Sequence, residues 1–419
     1  MEESPAMTQP LSAALDERHL TAGLPALGSC TLRVTVADRS VTVVVTDGQV
    51  TIRDTDDGDP EPDVTFALKR ADWESFCQNP PPRGYTTAQA VRATLNGACV
   101  HGDGEIWARY AGLVDRLVEA LRTDAVGPRP DRNAAPPAPA LGRSPIEAGY
   151  LNVDVDGETR RIFVESSGSG QVVLCLHTAG ADSRQFRHLM EDEGLISRYR
   201  FVAFDMPWHG RSDPPDDWST QTYRLDTRTY AATILAVMDA LELERPILLG
   251  CSMGGSIGLY MSARYGDRFS GVCALEGGLG NPSRFVPWTN HIGLDHSQFL
   301  TSWVGGLIAP NSPTGPRNQT LWGYAQGGPG VYQGDTYFYS RDLPEHTADL
   351  PKATCSLWVF SGEYDYSATT EMSREAAERL GGELVVMKGS GHFPMSEDPA
   401  VFRGYVVPVL DEITAASKA

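Results

Sequence analysis

A serine lies between two glycines in Gly250-Cys251-Ser252-Met253-Gly254, directly after an apolar run that predicts a buried strand. The residues that follow predict the start of a helix. A sharp strand-to-helix turn strains the serine backbone, so the residues two before and two after it must lack a Cβ. The helix N-terminus also presents a backbone N–H where an oxyanion would form. The pattern therefore predicts Ser252 as a nucleophile and Met253 as the donor of one oxyanion hydrogen bond.

A serine hydroxyl is a weak nucleophile at neutral pH, so it needs an imidazole that takes its proton and later returns it to the leaving group. His392, in the turn after the last apolar run, is the predicted base. An imidazolium in turn needs an oriented carboxylate. Asp365 is the first choice. Glu276, which ends the apolar run after the Ser252 helix, is the alternative acid, and both stay open at this stage.

The elements that must position these residues are near-continuous apolar runs separated by helical stretches. They lie at 171–176, 201–204, 247–249, 271–275, 357–360 and 384–387. Continuous apolar strands alternating with helices predict a mostly parallel sheet covered on both faces, an α/β fold class. Chemistry in such a sheet belongs at the carboxyl ends of the strands. The residues that follow the runs there include His177, Asp205, Ser252, Glu276, Asp365 and His392.

These motifs together resemble the α/β-hydrolase superfamily over about residues 145–415, within a second domain predicted at 145–419. The motifs are His177-Thr178-Ala179-Gly180, the turn from Asp205 to Ser212, the Ser252 turn, Gly362-Glu363-Tyr364-Asp365 and Gly391-His392. The order nucleophile, acid, histidine matches that superfamily. The resemblance implies that the Ala179 N–H is the second oxyanion donor, and Thr178 departs from the more common glycine at its position.

A segment at about 277–350 interrupts the alternation of strands and helices and is rich in aromatic residues, glycine and proline. The resemblance implies a cap at this point, because the superfamily inserts one between its sixth strand and the strand that carries the acid. Dense aromatic side chains predict a large, mostly apolar pocket, and about half of them are expected to form the cap's own core. The expected substrate contacts are Trp288, Trp303, Trp322 and Tyr339.

The first part of the chain predicts a separate, smaller α+β domain at 1–125. Alternating strands are followed by a helix with a stripe at Ile106, Tyr110, Leu113, Leu117 and Leu121. With the Asp63–Leu68 and Gly102-Asp103 motifs, residues 30–123 resemble the sterol-carrier-protein-2-like domain. The resemblance implies either handling of apolar ligands or a supporting role, including formation of a homodimer. A linker rich in proline and alanine, 126–144, separates the two domains.

The composition narrows the classes of partner. The 419 residues carry a formal charge of −19, which opposes binding to nucleic acid or anionic membranes. We find neither a signal-like N-terminus nor an apolar run long enough to span a bilayer, which predicts a cytoplasmic protein. The seven cysteines are scattered without metal-site spacing. Neither a metal nor an organic cofactor is expected, and Cys251 is expected to be a packing residue.

The residues predict a serine hydrolase that cleaves a carboxylic ester or lactone of a bulky hydrophobic substrate through an acyl-enzyme. The aromatic cap and Glu276 point to macrocyclic lactones of the zearalenone type as one substrate set. Two alternatives stay open: a C–C bond hydrolase of the meta-cleavage-product type, which uses the same triad, and a non-enzymatic lipid-binding or receptor-like protein.

Overall fold

The structure, a computed structural model, describes residues 28–46, 49–130, 142–291 and 293–417, without the side chains of residues 287 and 288. Two compact units divide the chain. Unit 1 comprises Met1–Arg132 and His291–Asn311, and unit 2 comprises Asn133–Asn290 and Ser312–Ala419. None of the described helices combines the length and the apolar character needed to cross a membrane.

The strands are β1 Cys30–Val36, β2 Arg39–Thr46, β3 Gln49–Asp54, β4 Val64–Leu68, β5 Val100–Gly102, β6 Glu147–Val155, β7 Glu158–Gly168, β8 Gln171–Leu176, β9 Tyr199–Phe204, β10 Ile247–Cys251, β11 Gly271–Leu275, β12 Ser356–Gly362 and β13 Glu383–Met387. The helices are α1 Arg70–Cys77, α2 Ala88–Thr94, α3 Gly104–Val126, α4 Arg187–Met190, α5 Glu193–Ile196, α6 Thr227–Ala240, α7 Met253–Arg264, α8 His296–Gly305, α9 Thr314–Ala325, α10 Val331–Tyr337, α11 Leu343–Thr347, α12 Thr370–Leu380, α13 Pro394–Glu397 and α14 Pro399–Ala416.

Unit 1 contains a five-stranded sheet in the order β3-β2-β1-β4-β5. β1 and β4 are parallel, and the other neighbouring pairs are antiparallel. The long helix α3 begins at Asp103, whose carboxylate accepts hydrogen bonds from the Glu105 and Ile106 amides, as expected of an N-cap. The predicted stripe faces the core of this unit, since Tyr110, Leu113, Leu117 and Leu121 are buried there and Ile106 packs against it partly buried.

The segment His291–Asn311 groups with unit 1, although the sequence pattern places it in the middle of the cap. Its helix α8 packs on α3, where the Ser302 hydroxyl donates to Asp115 at 2.5 Å. The Thr86 hydroxyl donates to the Gly306 carbonyl at 2.8 Å. Its burial arises from contacts with residues about 200 positions away, which periodicity within the segment cannot reveal.

Unit 2 contains an eight-stranded mixed sheet in the order β13-β12-β11-β10-β8-β9-β7-β6. The six strands from β13 to β9 in this order are parallel, as the apolar runs predict. The β6–β7 hairpin extends the sheet in antiparallel fashion at the β9 edge. The carboxyl ends of β10, β11 and β12 therefore lie side by side, which places Ser252, Glu276 and the turn with Asp365 at one edge of the sheet.

Candidate active site

Ser252 lies at the turn between β10 and α7, with backbone angles of φ 54° and ψ −109°. This is a strained region for a residue with a side chain. The turn is held by its own backbone, because the Ser252 N–H donates to the Leu275 carbonyl at 2.8 Å and the Ser256 N–H donates to the Ser252 carbonyl at 2.7 Å. The predicted strand-to-helix turn is therefore present.

The two glycines of this turn are needed for close approach of the backbone. A Cβ on Gly250 would lie 2.1 Å from the Gly254 carbonyl oxygen, and one on Gly254 would lie 2.4 Å from the Leu176 carbonyl oxygen. Both distances are far inside van der Waals contact with main-chain atoms, which cannot rotate away. The turn that strains Ser252 is accessible only with glycine at both positions.

His392 and Asp365 form a buried pair. His392 Nδ1 lies 2.5 Å from Asp365 Oδ2, and the two side chains are 5% and 0% exposed. The other Asp365 oxygen accepts from the Ser367 amide at 2.6 Å and from the Ala368 amide at 3.2 Å, which fixes the carboxylate. His392 and Ser252 line the same cavity. With Nδ1 held by the carboxylate, Nε2 is the ring nitrogen left for the serine proton.

Glu276 lies behind this pair and does not take the place of Asp365. Both of its carboxyl oxygens are within hydrogen-bond distance of the Gly362 amide, at 2.7 and 2.9 Å, and the carboxyl hydrogen-bonds to Asp365. Burial, followed by the charge of Asp365, raises the pKa of Glu276 well above the ordinary value. The raised pKa favours the protonated form of Glu276. Asp365 is the carboxylate in contact with the imidazole.

A neutral, buried Glu276 predicts a pH-dependent difference in stability between the protein and its Glu276→Gln variant. Above the ordinary pKa the unfolded carboxyl ionises while the folded one stays protonated, so unfolding releases a proton and wild-type stability falls as pH rises. Glutamine preserves the shape and the hydrogen bonds but cannot ionise. Each unit of pKa shift corresponds to about 1.4 kcal/mol.

We expect the Tm of Glu276→Gln minus that of wild type to increase from pH 5 to pH 8, as measured by thermal unfolding in matched buffers. All other titrating groups are common to both proteins, so the difference isolates this position. A difference that stays constant or falls with pH would contradict a neutral Glu276.

The loop after β8 leaves one amide available as an oxyanion donor. The Thr178 N–H donates to Gln185 Oε1 at 3.0 Å, the Gly180 N–H to Asp335 Oδ2 at 2.7 Å and the Ala181 N–H to the Thr178 carbonyl at 3.3 Å. Within the described residues, no acceptor contacts the amides of Ala179 or Met253. These two are the amides that the sequence predicts for the oxyanion hole.

His177 holds the peptide that carries the Ala179 N–H. Its Nε2 accepts from the Met206 amide at 3.1 Å, so the proton is on Nδ1, which donates to the Thr178 carbonyl at 2.8 Å. In a trans peptide the N–H points opposite to the carbonyl, so fixing the Thr178 oxygen fixes the direction of the Ala179 N–H. Burial lowers the pKa of His177, in keeping with a neutral ring.

Several supporting residues were missed by sequence reasoning. Glu397 accepts hydrogen bonds from the Gly391 and Phe393 amides, which flank His392, and so holds the histidine turn. The sequence does contain a pattern that predicts this contact. Pro394 followed by a glutamate in the first turn of α13 is typical of a helix start in which the acid accepts hydrogen bonds from the amides before the helix. Gln185 and Asp335 had no comparable signal.

Glu276, Asp365 and His392 also bring potential metal ligands within 4.8 Å of one another. A divalent cation would need both carboxyls ionised. Burial and the charge of Asp365 raise the pKa of Glu276, which favours the protonated acid in this position. The group is better described as a hydrogen-bonded chain from Glu276 through Asp365 to His392.

Cys251 is fully buried beside the nucleophile, and its Sγ lies 3.3 Å from the His392 carbonyl oxygen. Burial raises the pKa of the thiol well above its ordinary value. The thiolate, which is the reactive form, is thereby disfavoured. The structure thus places Cys251 as a packing residue, as the sequence predicts.

The expected aromatic substrate contacts are only partly brought to the site. Tyr339 lines the cavity that contains Ser252 and His392. Trp303 lies in α8 of unit 1, where it packs against Phe299, and Trp322 is 63% exposed and lines a different cavity. Neither lines the cavity at Ser252, and both stay predictions from the sequence. The backbone of Trp288 lies in the short 3-10 turn Pro287–Asn290, and its side chain is outside the described residues.

The cavity at Ser252 is also smaller than the aromatic content predicts. It measures about 20 Å³, above the ~10–15 Å³ that admits one water but far below the roughly 300–1,000 Å³ of typical ligand pockets. Within the described residues, the cavity at Ser252 is therefore not the large apolar pocket that the sequence predicts.

The chain belongs to the alpha/beta hydrolase family, whose model matches residues 173–404, more than half of the sequence. A 2-hydroxy-6-oxononadienedioate/2-hydroxy-6-oxononatrienedioate hydrolase from Burkholderia vietnamiensis is 30% identical over 141 residues, which cover 33% of this chain and 47% of that protein. The chain thus spans about half the length of this curated relative.

Solved structures share the fold. An esterase from Thermogutta terrifontis superposes with a TM-score of 0.55 at 17% identity, covering 64% of this chain and 99% of its own. The enol-lactonase from Burkholderia xenovorans superposes with a TM-score of 0.52 at 20% identity, covering 63% of this chain and 100% of its own. At these identities the similarity concerns the fold.

Proposed function

We propose that the protein is a serine hydrolase that cleaves a carboxylic ester or lactone of a hydrophobic substrate through an acyl-enzyme. The observation that carries the proposal is the buried His392–Asp365 pair at 2.5 Å, whose histidine lines the same cavity as the strained Ser252. The Ala179 and Met253 amides add the two donors that acyl transfer requires.

In the proposed reaction, the Ser252 Oγ attacks the carbonyl carbon while its proton passes to His392 Nε2. Asp365 orients the ring and stabilises the imidazolium, and the Ala179 and Met253 amides bind the oxyanion. His392 returns the proton to the leaving oxygen as the ester bond breaks. A water then loses a proton to His392 and attacks the acyl carbon, which releases the acid and restores Ser252.

The size of the cavity constrains the substrate class. A cavity of about 20 Å³ cannot hold a bulky ester, so productive binding requires displacement of the residues that close it. Of the aromatic residues proposed to contact substrate, Tyr339 lines this cavity. It comes from the segment between β11 and β12. Among the proposed substrates, a macrocyclic lactone of the zearalenone type would require the largest expansion of the cavity at Ser252.

A second candidate is hydrolysis of a C–C bond next to a carbonyl, which uses the same triad. The relative from Burkholderia vietnamiensis is named for a dioate substrate, which carries two carboxylates. In this chain the Arg284 guanidinium donates to the Tyr332 hydroxyl at 3.1 Å and also hydrogen-bonds Tyr339 of the cavity wall. A guanidinium at this place would suit a substrate carboxylate.

A substrate panel distinguishes the candidates. We expect turnover of p-nitrophenyl esters and lactones and none of vinylogous dienones, with Ser252→Ala as the control for non-enzymatic hydrolysis. Turnover of dienones alone would establish the C–C hydrolase instead. Saturable binding of the esters without turnover would favour the third interpretation, a lipid-binding or receptor-like protein.

The role of unit 1 is a separate proposal. Its sheet and long helix support a small α+β domain, and the proposed sterol-carrier-like function would make it a module for apolar ligands. Formation of a homodimer and a cytoplasmic location likewise stay predictions from the sequence.

A further inference from the structure

Asp335 is a fully buried carboxylate from α10, in the segment between β11 and β12. It contacts the loop at 177–181 after β8, here called the oxyanion loop. Its Oδ2 accepts from the Gly180 amide at 2.7 Å and lies 2.7 Å from His209 Nε2, and its Oδ1 accepts from the Tyr223 hydroxyl at 2.9 Å. The contact with Gly180 spans 155 positions in sequence. All four residues belong to unit 2.

The ring of His209 shows that Asp335 is half of an ion pair. Its Nδ1 lies 2.9 Å from the Pro207 carbonyl, which can only accept, while its Nε2 faces the carboxylate. Both nitrogens must therefore carry hydrogen. Burial alone would lower the pKa of His209, but the charge of Asp335 raises it above the ordinary value. His177, whose ring centroid is 4.9 Å away, and Asp205 also face this ring.

The position of Asp335 matters because Ala179 lies between two peptide planes. The plane before it is fixed by the Thr178 carbonyl, which accepts from His177 and from Ala181. The plane after it is fixed by the bond from the Gly180 amide to Asp335. Without the bond to Asp335, Ala179 would be held only through the Thr178 peptide before it.

We propose that Asp335 is a positioning residue that assembles the oxyanion hole by holding the Gly180 peptide. Tyr332, one helical turn earlier on α10, packs on Gly180, since a Cβ on that glycine would lie 2.8 Å from the Tyr332 ring. The helix that lies over the loop thus holds it at two points.

The test rests on the proposed function, so the wild-type protein is measured first. Turnover of a p-nitrophenyl ester and labelling of Ser252 by a fluorophosphonate establish that function independently of Asp335. If both fail, the serine-hydrolase proposal fails, and with it the role given to Asp335.

The variant is Asp335→Asn, and its matched control is Asp342→Asn. Asp342 is also a carboxylate of the segment between β11 and β12, and it accepts from the Thr227 amide at 2.7 Å and from the Thr227 hydroxyl at 2.5 Å. It therefore makes the same kinds of contact without touching the oxyanion loop. A general loosening of this segment would affect both variants alike.

We expect Asp335→Asn to lower kcat by about 10²-fold with KM near wild type, because the oxyanion contact strengthens only in the transition state. Asp342→Asn should keep kcat near wild type. A trifluoromethyl ketone, which forms an oxyanion when Ser252 adds to its carbonyl, should lose affinity for Asp335→Asn by the same factor as kcat/KM falls. Unchanged kcat in Asp335→Asn, or equal losses in the two variants, would overturn the proposal.

Removing Asp335 alone leaves His209 without its counter-charge in the interior, which is strongly destabilising. If Asp335→Asn does not fold, the double variant Asp335→Asn/His209→Gln removes both charges. We expect it to fold with kcat lowered as above, and a wild-type kcat in this variant would equally overturn the role of Asp335.

Discussion

Replacing Asp365 with asparagine is expected to lower kcat by about 10⁴-fold, while Glu276→Gln keeps kcat near wild type. Asp365 is in direct contact with His392 Nδ1 at 2.5 Å, and an asparagine there would present an amide or favour the wrong ring tautomer. The raised pKa of Glu276 favours a protonated carboxyl, which can donate to Asp365, and glutamine can donate in the same way.

The two variants should be assayed side by side on one ester, with circular dichroism as the check that both are folded. The pair is matched, because each change replaces one carboxyl of the same buried chain by an amide of equal size. Collapse of Glu276→Gln with activity retained in Asp365→Asn would contradict the assignment and would place the catalytic acid at the end of β11.

Ser252→Ala is expected to lower kcat by about 10³-fold or more while the fold is retained. The change removes the attacking oxygen and leaves the main-chain hydrogen bonds of the turn intact, since these involve the Ser252 backbone and its neighbours. Measured kcat and the Tm of the variant check both parts. Substantial residual turnover with an unchanged Tm would mean that another nucleophile carries the reaction.

The sheet of unit 2 and the order of its functional turns could be predicted from the sequence because both depend on local information. Apolar runs such as 171–176 and 271–275 predict buried parallel strands, and a parallel sheet brings their carboxyl ends together. Glycines at 250 and 254 identify the Ser252 turn because no other residue fits there.

The choice between Asp365 and Glu276 could not be made from the sequence, since both follow neighbouring strands. The choice depends on which carboxyl contacts His392 Nδ1. The two carboxyls lie within a few ångströms of the same imidazole, and the sequence does not resolve such a difference in position. Trp303 and Trp322 show the same limit. Aromatic composition predicts a cap but does not tell which rings face the cavity, the solvent or, for Trp303, unit 1.

Asp335 and Gln185 illustrate contacts that no short-range pattern reports. Asp335 binds the oxyanion loop across 155 positions, and nothing near it in the sequence distinguishes it from a solvated acid. Thr178 occupies a position where glycine is more common, which indicates an altered loop conformation. In the structure, the amide and hydroxyl of Thr178 both hydrogen-bond to Gln185 Oε1 and fix this residue.

The central claim, that Ser252 is an activated nucleophile, is tested most directly by treating the full-length protein with a fluorophosphonate and locating the adduct by mass spectrometry of its peptides. We predict a single adduct on Ser252, which is absent from Ser252→Ala and strongly slowed in Asp365→Asn. An adduct on Cys251, or no adduct at all on the folded wild-type protein, would contradict the account.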